Sequence, residues 1–270
     1  MLTEWSLGKK TEYVQTYSPN LLFPVPRTLG RDKINLGTSL PFTGVDIWNG
    51  FELSWLNSKG KPEIAIAEFQ FPYSTTNIIE SKSFKLYLNS FNQSKFNSFD
   101  EVRESLTRDL SNTAQGPVSV KIISFSEFNK QKISDFSGTN LDNLDIQIDT
   151  YQLDTNFLTS QGVQVEETLF SHLLKSNCMA TGQPDWGSVL IRYKGPKIDH
   201  SGLLKYIISY RNHVGFAEHC TERMYCDIQQ KCNPKCLTID IRYTRRGGLD
   251  INPFRSNFET PTFTGRQARQ

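Results

Sequence analysis

Alternation of apolar and polar positions predicts several strands. Residues 63–71 (EIAIAEFQF) alternate, and they follow a second apolar run, 51–56, after Asn57-Ser58-Lys59-Gly60. Such a polar, glycine-ending link between two strands is typical of a hairpin. The same period of two predicts further strands at 118–125, 144–149, 188–193 and 237–243.

Helical spacing of apolar residues separates these strands. Phe84, Leu88 and Phe91 share one face of a helix over 83–91, and Ser98 with Glu101 forms a capping box before a second helical run. Helices are also predicted over 202–210 and 216–230.

The order of these elements occurs twice. Residues 85–91 (KLYLNSF) can be aligned with 204–210 (LKYIISY), and each follows two strands and precedes a second helix and a strand. We interpret this as a duplicated α+β domain with antiparallel sheets and helices on one face. The alternative is chance similarity in a short window. The predicted organisation is a first module at 1–125, a polar connecting segment at 126–167 and a second module at 168–270.

Composition and charge fit a globular protein. The chain has 270 residues, of which 37% are hydrophobic and 21% charged, which is enough for a substantial core. A net charge of +2 gives no support for nucleic-acid binding through a basic field. Residues 1–10 lack the apolar stretch of a signal peptide, and no apolar run approaches about 20 residues. We therefore expect a cytoplasmic protein without a membrane partner.

The five cysteines do not suggest a disulfide framework, since their number is odd. The last four are separated by five, five and three residues, which matches no common zinc knuckle. A zinc site is the less favoured alternative, and buried free thiols are the expectation. The cysteines are Cys178, Cys220, Cys226, Cys232 and Cys236.

The remaining cysteine, Cys178, lies in a polar, turn-like stretch at 176–187 just before a predicted strand. Asp185 follows seven residues later, beyond a glycine and a proline, so the chain can fold back and bring the two together. A thiol nucleophile beside a carboxylic acid suits addition to a polarised C–N multiple bond. The alternative is a packed thiol and a turn aspartate.

Two further segments carry suitable chemistry. Glu80 could accept a pair of substrate N–H groups, and nearby Lys82 and Lys85 could meet phosphate, although a solvated helix start explains the same residues. Arg245 and Arg246, before two glycines, could hold a phosphate or form only a charged turn. There is no glycine-rich dinucleotide fingerprint, phosphate loop or HExxH motif.

Together these segments resemble the 7-cyano-7-deazaguanine reductases in their longer, two-module form. Residues 80–87 (ESKSFKLY) are similar to that family's E-S-K-S-x-K-L-Y signature. Residues 176–178 and 183–186 match its nucleophile segment, 211–213 and 216–218 its R-N-H…F-H-E segment, and 244–253 its Arg-Gly-Gly segment. The resemblance extends from about residue 44 to 257.

The resemblance implies tandem tunnelling-fold (T-fold) modules and a specific chemistry. Cys178 would attack the nitrile carbon of 7-cyano-7-deazaguanine to give a thioimide, and Asp185 would protonate the nitrogen. Two NADPH molecules would then give 7-aminomethyl-7-deazaguanine, a precursor of the tRNA base queuosine. The resemblance implies no metal and no direct contact with nucleic acid. It implies a homodimer.

The implied binding residues come from both modules. Those for the substrate are Glu80, Ser81, Lys82, Phe216, Ala217 and Glu218. Those for NADPH are Lys82, Ser83, Arg246 and Gly247.

One position departs from the family pattern, because Ala217 stands where the family has histidine. His219 is displaced by two positions along a predicted helix and does not obviously replace it. We therefore expect an impaired variant that forms the thioimide but reduces it slowly. The alternatives are another T-fold enzyme such as a zinc-dependent cyclohydrolase, a non-catalytic deazaguanine binder, and a tRNA-binding protein.

Overall fold

The computed structural model describes residues 13–262 and 265–270, so the prediction made for residues 1–10 lies outside it. The described chain divides into two compact units. The first unit contains residues 13–29, Asp46–Lys132 and Arg245–Asp250. The second contains Gly30–Val45, Ile133–Thr244 and Ile251–Gln270. Each unit is therefore assembled from separate stretches of sequence. The predicted boundaries at 125 and 168 stay a prediction.

Residues 13–132 form five strands and four α-helices. They are β1 (Pro24–Pro26), α1 (Thr28–Arg31), β2 (Thr43–Leu56), β3 (Pro62–Pro72), β4 (Asn77–Ile79), α2 (Ser81–Asn89), α3 (Phe99–Ala114), β5 (Ser119–Ile123) and α4 (Phe125–Phe128). Strand β3 lies between β2 and β5, and β1 pairs with β4. The hairpin turn is confirmed, because Gly60 has φ of +82° and donates its N–H to the Asn57 carbonyl.

The core of the first unit forms where α2 packs on the sheet. Phe84 is fully buried, and its ring lies 4.9 Å from that of Phe69 and 5.4 Å from that of Trp48. Rings at these separations bury much apolar area and add edge-to-face attraction. The helical spacing of Phe84, Leu88 and Phe91 thus predicted the buried face correctly.

The described residues beyond 132, which are 133–262 and 265–270, form six strands and two α-helices. They are β6 (Thr139–Asn140), β7 (Ser160–Cys178), β8 (Pro184–Ile198), α5 (His200–Ser209), β9 (Val214–Gly215), α6 (Ala217–Cys232), β10 (Cys236–Tyr243) and β11 (Leu249–Ser256). In the second unit the strand order is β11-β10-β8-β7-β6, and β9 also pairs with β7. The pairings of β8 with β7 and β10 and of β10 with β11 are antiparallel, whereas β6 and β9 run parallel to β7. The fold is thus mixed α and β with predominantly antiparallel pairing.

The predicted repeat of elements is confirmed. The order strand, strand, helix, helix, strand appears as β2-β3-α2-α3-β5 and again as β7-β8-α5-α6-β10. Both long helices have 16 residues and end on a residue with positive φ, Gln115 or Asn233. Such detailed agreement is hard to obtain by chance.

Two predictions for individual segments were wrong. Residues 144–149 form no strand, although apolar and polar residues alternate there, and their side chains are exposed or half-buried. The stretch 176–187 is mostly strand, and only residues 179–183 separate β7 from β8. Residues 160–167, which lie in the predicted polar connecting segment, begin β7, where exposure of most side chains removes the hydrophobic period. No helix within the described residues is long and apolar enough to cross a membrane.

Candidate active site

A hairpin of two long strands carries the predicted nucleophile and acid. In the pairing of β7 with β8, Ser176 lies opposite Asp185 and Asn177 lies opposite Pro184. Alternate residues of a strand share a face, so Cys178 and Ser176 point to the same side and Asp185 is the diagonal neighbour of Cys178. Diagonal neighbours have Cβ atoms separated by roughly 7–8 Å or somewhat less, within reach of contact.

The backbone around Cys178 is held on both sides. Its N–H donates to the Gln183 carbonyl at 2.9 Å, and its own carbonyl accepts from Gly182 N at 2.9 Å. On the other side Cys178 pairs with Gly215 of β9. The side chain is 6% exposed, so the thiol is shielded from bulk water but close to the surface.

The start of α6 supplies the next predicted residues. Phe216 is the residue before the helix and is buried, Ala217 is the first helical residue, and Glu218 follows with 2% exposure. A carboxylate in the first turn is stabilised by the helix dipole. Because β9 immediately precedes α6 and pairs with Cys178, the chain brings this helix start to the nucleophile strand.

A second thiol lies beside the predicted carboxylates. The pKa of Cys220 is raised to about 12, chiefly by burial and also by the nearby charges of Asp185 and Glu218, while hydrogen bonds with Ser176 and Tyr243 oppose the shift. Cys220 therefore stays a neutral thiol at physiological pH. No sequence pattern indicated that Cys220 and Tyr243 belong to this site, but Ser176 follows from strand alternation.

His219 has a neighbour that limits its role. Its ring lies 5.6 Å from that of Phe216 in an edge-on arrangement. A Cβ added to Gly30 would come within 2.2 Å of the His219 ring, so glycine is needed for this close approach. The ring thus packs against Gly30, which supports the expectation that His219 does not replace a histidine at position 217.

In the first unit, Glu80 caps α2. Its two carboxylate oxygens accept hydrogen bonds from the N–H groups of Lys82 at 2.9 Å and Ser83 at 2.7 Å. Ser83 is also committed, since its hydroxyl donates to the Glu80 carbonyl and accepts from Phe23 N. Ser81 and Lys82 are half-buried at the same helix start.

The predicted Arg-Gly-Gly turn lies in the same unit as α2. Gly247 and Gly248 both have positive φ, +58° and +74°, a conformation that favours glycine. A Cβ at Gly247 would lie 3.1 Å from Cδ of Lys85, so the Lys85 side chain passes directly over this turn. Lys85 and Arg246 are thus neighbours of one glycine, and their cationic groups are suited to phosphate.

The predicted residues divide between the two units. The second unit brings together Cys178, Asp185, Phe216, Ala217 and Glu218. The first contains Glu80, Ser81, Lys82, Ser83, Arg246 and Gly247. Within the described ranges, no group of three or more His, Cys, Asp or Glu side chains is placed to hold a metal ion, and all five cysteines are free.

Comparison with known proteins decides the family. The profile described as nitrile reductase, 7-cyano-7-deazaguanine-reductase N-term matches residues 13–122, and the profile of QueF-like proteins matches 184–262. The NADPH-dependent 7-cyano-7-deazaguanine reductase of Paraburkholderia phymatum is 55% identical over 94% of this chain and 94% of its own. The enzyme of the same name from Burkholderia multivorans is 54% identical over 98% of this chain and 97% of its own. This chain belongs to that family.

Membership in the 7-cyano-7-deazaguanine reductases confirms the resemblance drawn from the four sequence motifs. It also sets the zinc-dependent cyclohydrolase alternative aside. A crystal structure of the archaeosine synthase QueF-Like in the apo form aligns with 37% of this chain at 15% identity, covering 95% of that chain. Its TM-score of 0.30 is too low to define a shared fold.

Proposed function

We propose that this protein reduces the nitrile of 7-cyano-7-deazaguanine to an aminomethyl group with NADPH, in the pathway to queuosine. The observation that carries the proposal is the diagonal placement of Cys178 and Asp185 on one face of the β7–β8 hairpin. Relatives that align over nearly the whole chain carry the corresponding name. The weak net charge offers no support for the tRNA-binding alternative.

The first step is covalent addition. The Cys178 sulfur forms a bond to the nitrile carbon as its thiol proton passes to Asp185, and one electron pair of the C≡N bond moves to nitrogen. That nitrogen takes the proton that Asp185 carried, so Asp185 ends the step protonated as it began. The product is a thioimide in which the sulfur is bound to a C=N–H carbon. Such a step suits a shielded thiol with an acid as diagonal neighbour.

The substrate's purine-like edge needs an acceptor for adjacent N–H groups. Glu218 is suited because a buried carboxylate accepts two such bonds and the helix start stabilises its charge. Phe216 offers a ring face for the base. Ser81 and Lys82 are proposed as further contacts, and Glu80 contributes the lone pairs that its capping bonds leave available.

The chemistry of the first unit fits a phosphate-bearing cofactor. Arg246 and Lys85 flank Gly247, whose missing side chain leaves backbone accessible, and Lys82 adds a cation at the start of α2. Ser83 contributes less, since its hydroxyl already bonds to backbone groups. NADPH would supply hydride, and two molecules are required for the four-electron reduction of a nitrile to an amine. The chain's residues would bind and orient it.

Ala217 affects the later proton transfers. The alanine side chain has no ionisable group that could transfer a proton, and His219 packs on Gly30 instead of reaching position 217. Loss of a positioned proton carrier typically lowers a rate by about 10²–10⁴-fold. We propose that addition survives in this chain and that reduction is slow.

The duplicated element order supports tandem T-fold modules, the first ending near 125 and the second starting near 168. Each repeat contains two long antiparallel strands, two helices and a return strand. We also propose that the protein is a homodimer, as the family resemblance implies, and that it is located in the cytoplasm. Sedimentation of the purified protein would test the dimer.

Intact-protein mass spectrometry tests the function. The protein is mixed with 7-cyano-7-deazaguanine without NADPH, and we expect a mass gain equal to one substrate molecule. The Cys178→Ala variant should show no gain, and Cys232→Ser, which alters another buried thiol, should retain it. A wild-type protein that binds the nitrile without a mass gain would refute the covalent step and favour the non-catalytic binder, an alternative that Ala217 keeps open.

A further inference from the structure

The β7–β8 hairpin contains a bulge between its base and the proposed catalytic tip. Ser171 pairs with Val189, and Leu174 pairs with Gly187. Two residues of β7, His172 and Leu173, therefore face the single residue Ser188 of β8. A bulge of this kind bends the strand, increases its twist and re-aims the side chains beyond it.

The bulge decides which residues share a face at the tip. Side chains alternate with a period of two, so removing one residue from the count on β7 would send Cys178 to the opposite face from Asp185. With the bulge in place, Ser176 lies opposite Asp185 and Cys178 is its diagonal neighbour. The chemistry proposed above thus depends on a single irregularity four residues before Ser176.

Side chains from distant segments satisfy the backbone groups around the bulge. Asp142 accepts from the N–H of His172 at 2.9 Å and from the hydroxyl of Ser171 at 2.6 Å. The Ser171 hydroxyl oxygen in turn accepts from Leu173 N at 3.1 Å. Buried or half-buried backbone groups need such partners, so these bonds favour the bulged pairing over a regular ladder.

The side chain of Arg269 also bonds to the backbone at the bulge. Its Nη2 donates to the carbonyl of His172 at 2.8 Å and to the carbonyl of Gly187 at 3.2 Å. One guanidinium nitrogen therefore joins β7 and β8 at the bulge. Charge-assisted bonds of this kind are stronger than neutral ones.

The segment that carries Arg269 is itself anchored. The Gln270 amide donates to the carbonyl of Tyr243 at 3.2 Å and to Oδ1 of Asn252 at 2.6 Å. Gln267 donates to Asp135, the carboxylate that also meets the ring of His172. The other ring nitrogen of His172 lies 2.8 Å from the Ser188 hydroxyl, so both sides of the bulge are held.

We propose that Arg269 is a positioning residue for nitrile addition: by joining the carbonyls of His172 and Gly187 it fixes the bulge that keeps Cys178 and Asp185 on one face of the hairpin. Arg269 touches neither reacting group and acts through the register of β7 and β8. The inference rests on the proposed function of Cys178. Misplacement of reacting groups by about 1 Å can lower a rate by about 10²-fold.

Two measurements on Arg269→Gln test this. Hydrogen–deuterium exchange over 171–190 should be faster than in the wild type, because the pairing between bulge and tip loosens. The rate of covalent addition at saturating 7-cyano-7-deazaguanine should fall by about 10-fold or more, while the half-saturating nitrile concentration changes less than about 2-fold. Arg269→Lys, which keeps a charged donor, should recover part of the rate.

Arg266→Gln is the matched control. Arg266 lies in the same segment and pairs through its backbone with Ile133, but its side chain is not bonded to the bulge carbonyls. An unchanged addition rate in Arg269→Gln, or equal losses in both variants, would overturn the positioning role. Absence of adduct in the wild type would instead refute the proposed function and the link to addition, and the exchange measurement would still decide whether Arg269 holds the bulge.

Discussion

Tyr206 donates its hydroxyl proton to Oδ2 of Asp227 across 2.7 Å. The first unit contains the same relationship, in which Tyr87 donates to Oδ2 of Asp109 across 2.7 Å. In both cases the tyrosine lies on the shorter helix of the repeat and the aspartate on the 16-residue helix. The duplication therefore extends to a buried polar pair that fixes one helix on the other.

Removing this hydroxyl should destabilise the second unit. Burial raises the pKa of Asp227, and the hydrogen bond from Tyr206 opposes that shift. Tyr206→Phe should lower the free energy of unfolding by about 1–3 kcal/mol, the usual cost of a buried group that loses its partner. Urea unfolding followed by circular dichroism measures the change. Tyr225→Phe, which loses only a bond to the Pro41 carbonyl, should cost less, and the reverse order would contradict the argument.

Glu222 should be among the positions most sensitive to neutralisation. Its carboxylate accepts from Arg31 at 2.8 and 2.9 Å and from Arg255 at 2.9 and 3.2 Å, and Arg255 is fully buried. Glu222→Gln leaves buried guanidinium charge without its counterion, which typically costs about 3–5 kcal/mol. Thermal unfolding provides the measurement. The control Glu104→Gln changes an exposed helix residue, and equal losses in the two variants would argue against the ion-pair explanation.

His213 should make stability depend on pH on the acidic side. Burial lowers the pKa of His213 from 6.5 to about 4, with smaller effects from the charges of Arg223 and Lys33. Between these values the unfolded chain binds the proton and the folded chain does not, so stability decreases as pH falls from about 6.5 towards about 4. Urea midpoints at pH 7.5 and 5 should differ more in the wild type than in His213→Asn. A difference of the same size in both would exclude His213 as the cause.

Glycine at position 115 should stabilise the first unit. Gln115 ends α3 with φ of +52°, a conformation that costs a residue with a side chain roughly 1 kcal/mol or more. Gln115→Gly should raise the free energy of unfolding by up to about 1 kcal/mol, after the greater chain entropy of glycine is deducted. Asn233→Gly, at the equivalent end of α6, should give a smaller gain because asparagine tolerates this conformation. A decrease in stability for Gln115→Gly would refute the prediction.

The sequence predicted the elements whose hydrophobic period is strong. Helix α2 was predicted because its apolar residues around Phe84 line one buried face. Strand β10 was predicted because its residues alternate, and nearly all of its side chains are buried. The first part of β7 was missed, since its side chains are mostly exposed and no pattern distinguishes it from a loop. Residues 144–149 mislead for the opposite reason, because apolar and polar residues alternate there without forming a strand.

The chemistry of the site was easier to infer than its supports. Cys178 and Asp185 stood out as a thiol and an acid joined by a reversing segment, and the four motifs gave the family. The roles of Asp142 and Arg269 left no trace in the sequence, because they depend on bonds to residues 30 and 97 positions away. Local periodicity contains no information on such contacts.

The discontinuous make-up of the first unit affects how the protein emerges from the ribosome. Its last piece, Arg245–Asp250, is synthesised only after the 112 residues from 133 to 244 have been added. At about 5–20 residues per second this takes roughly 6–22 s. Meanwhile β2 lacks the neighbour whose Gly248 carbonyl receives the N–H of Phe51, and an unpaired strand edge invites association with other chains. The nascent protein is therefore most vulnerable to aggregation while residues 133–244 are being synthesised. Its dependence on chaperones should be greatest during that interval.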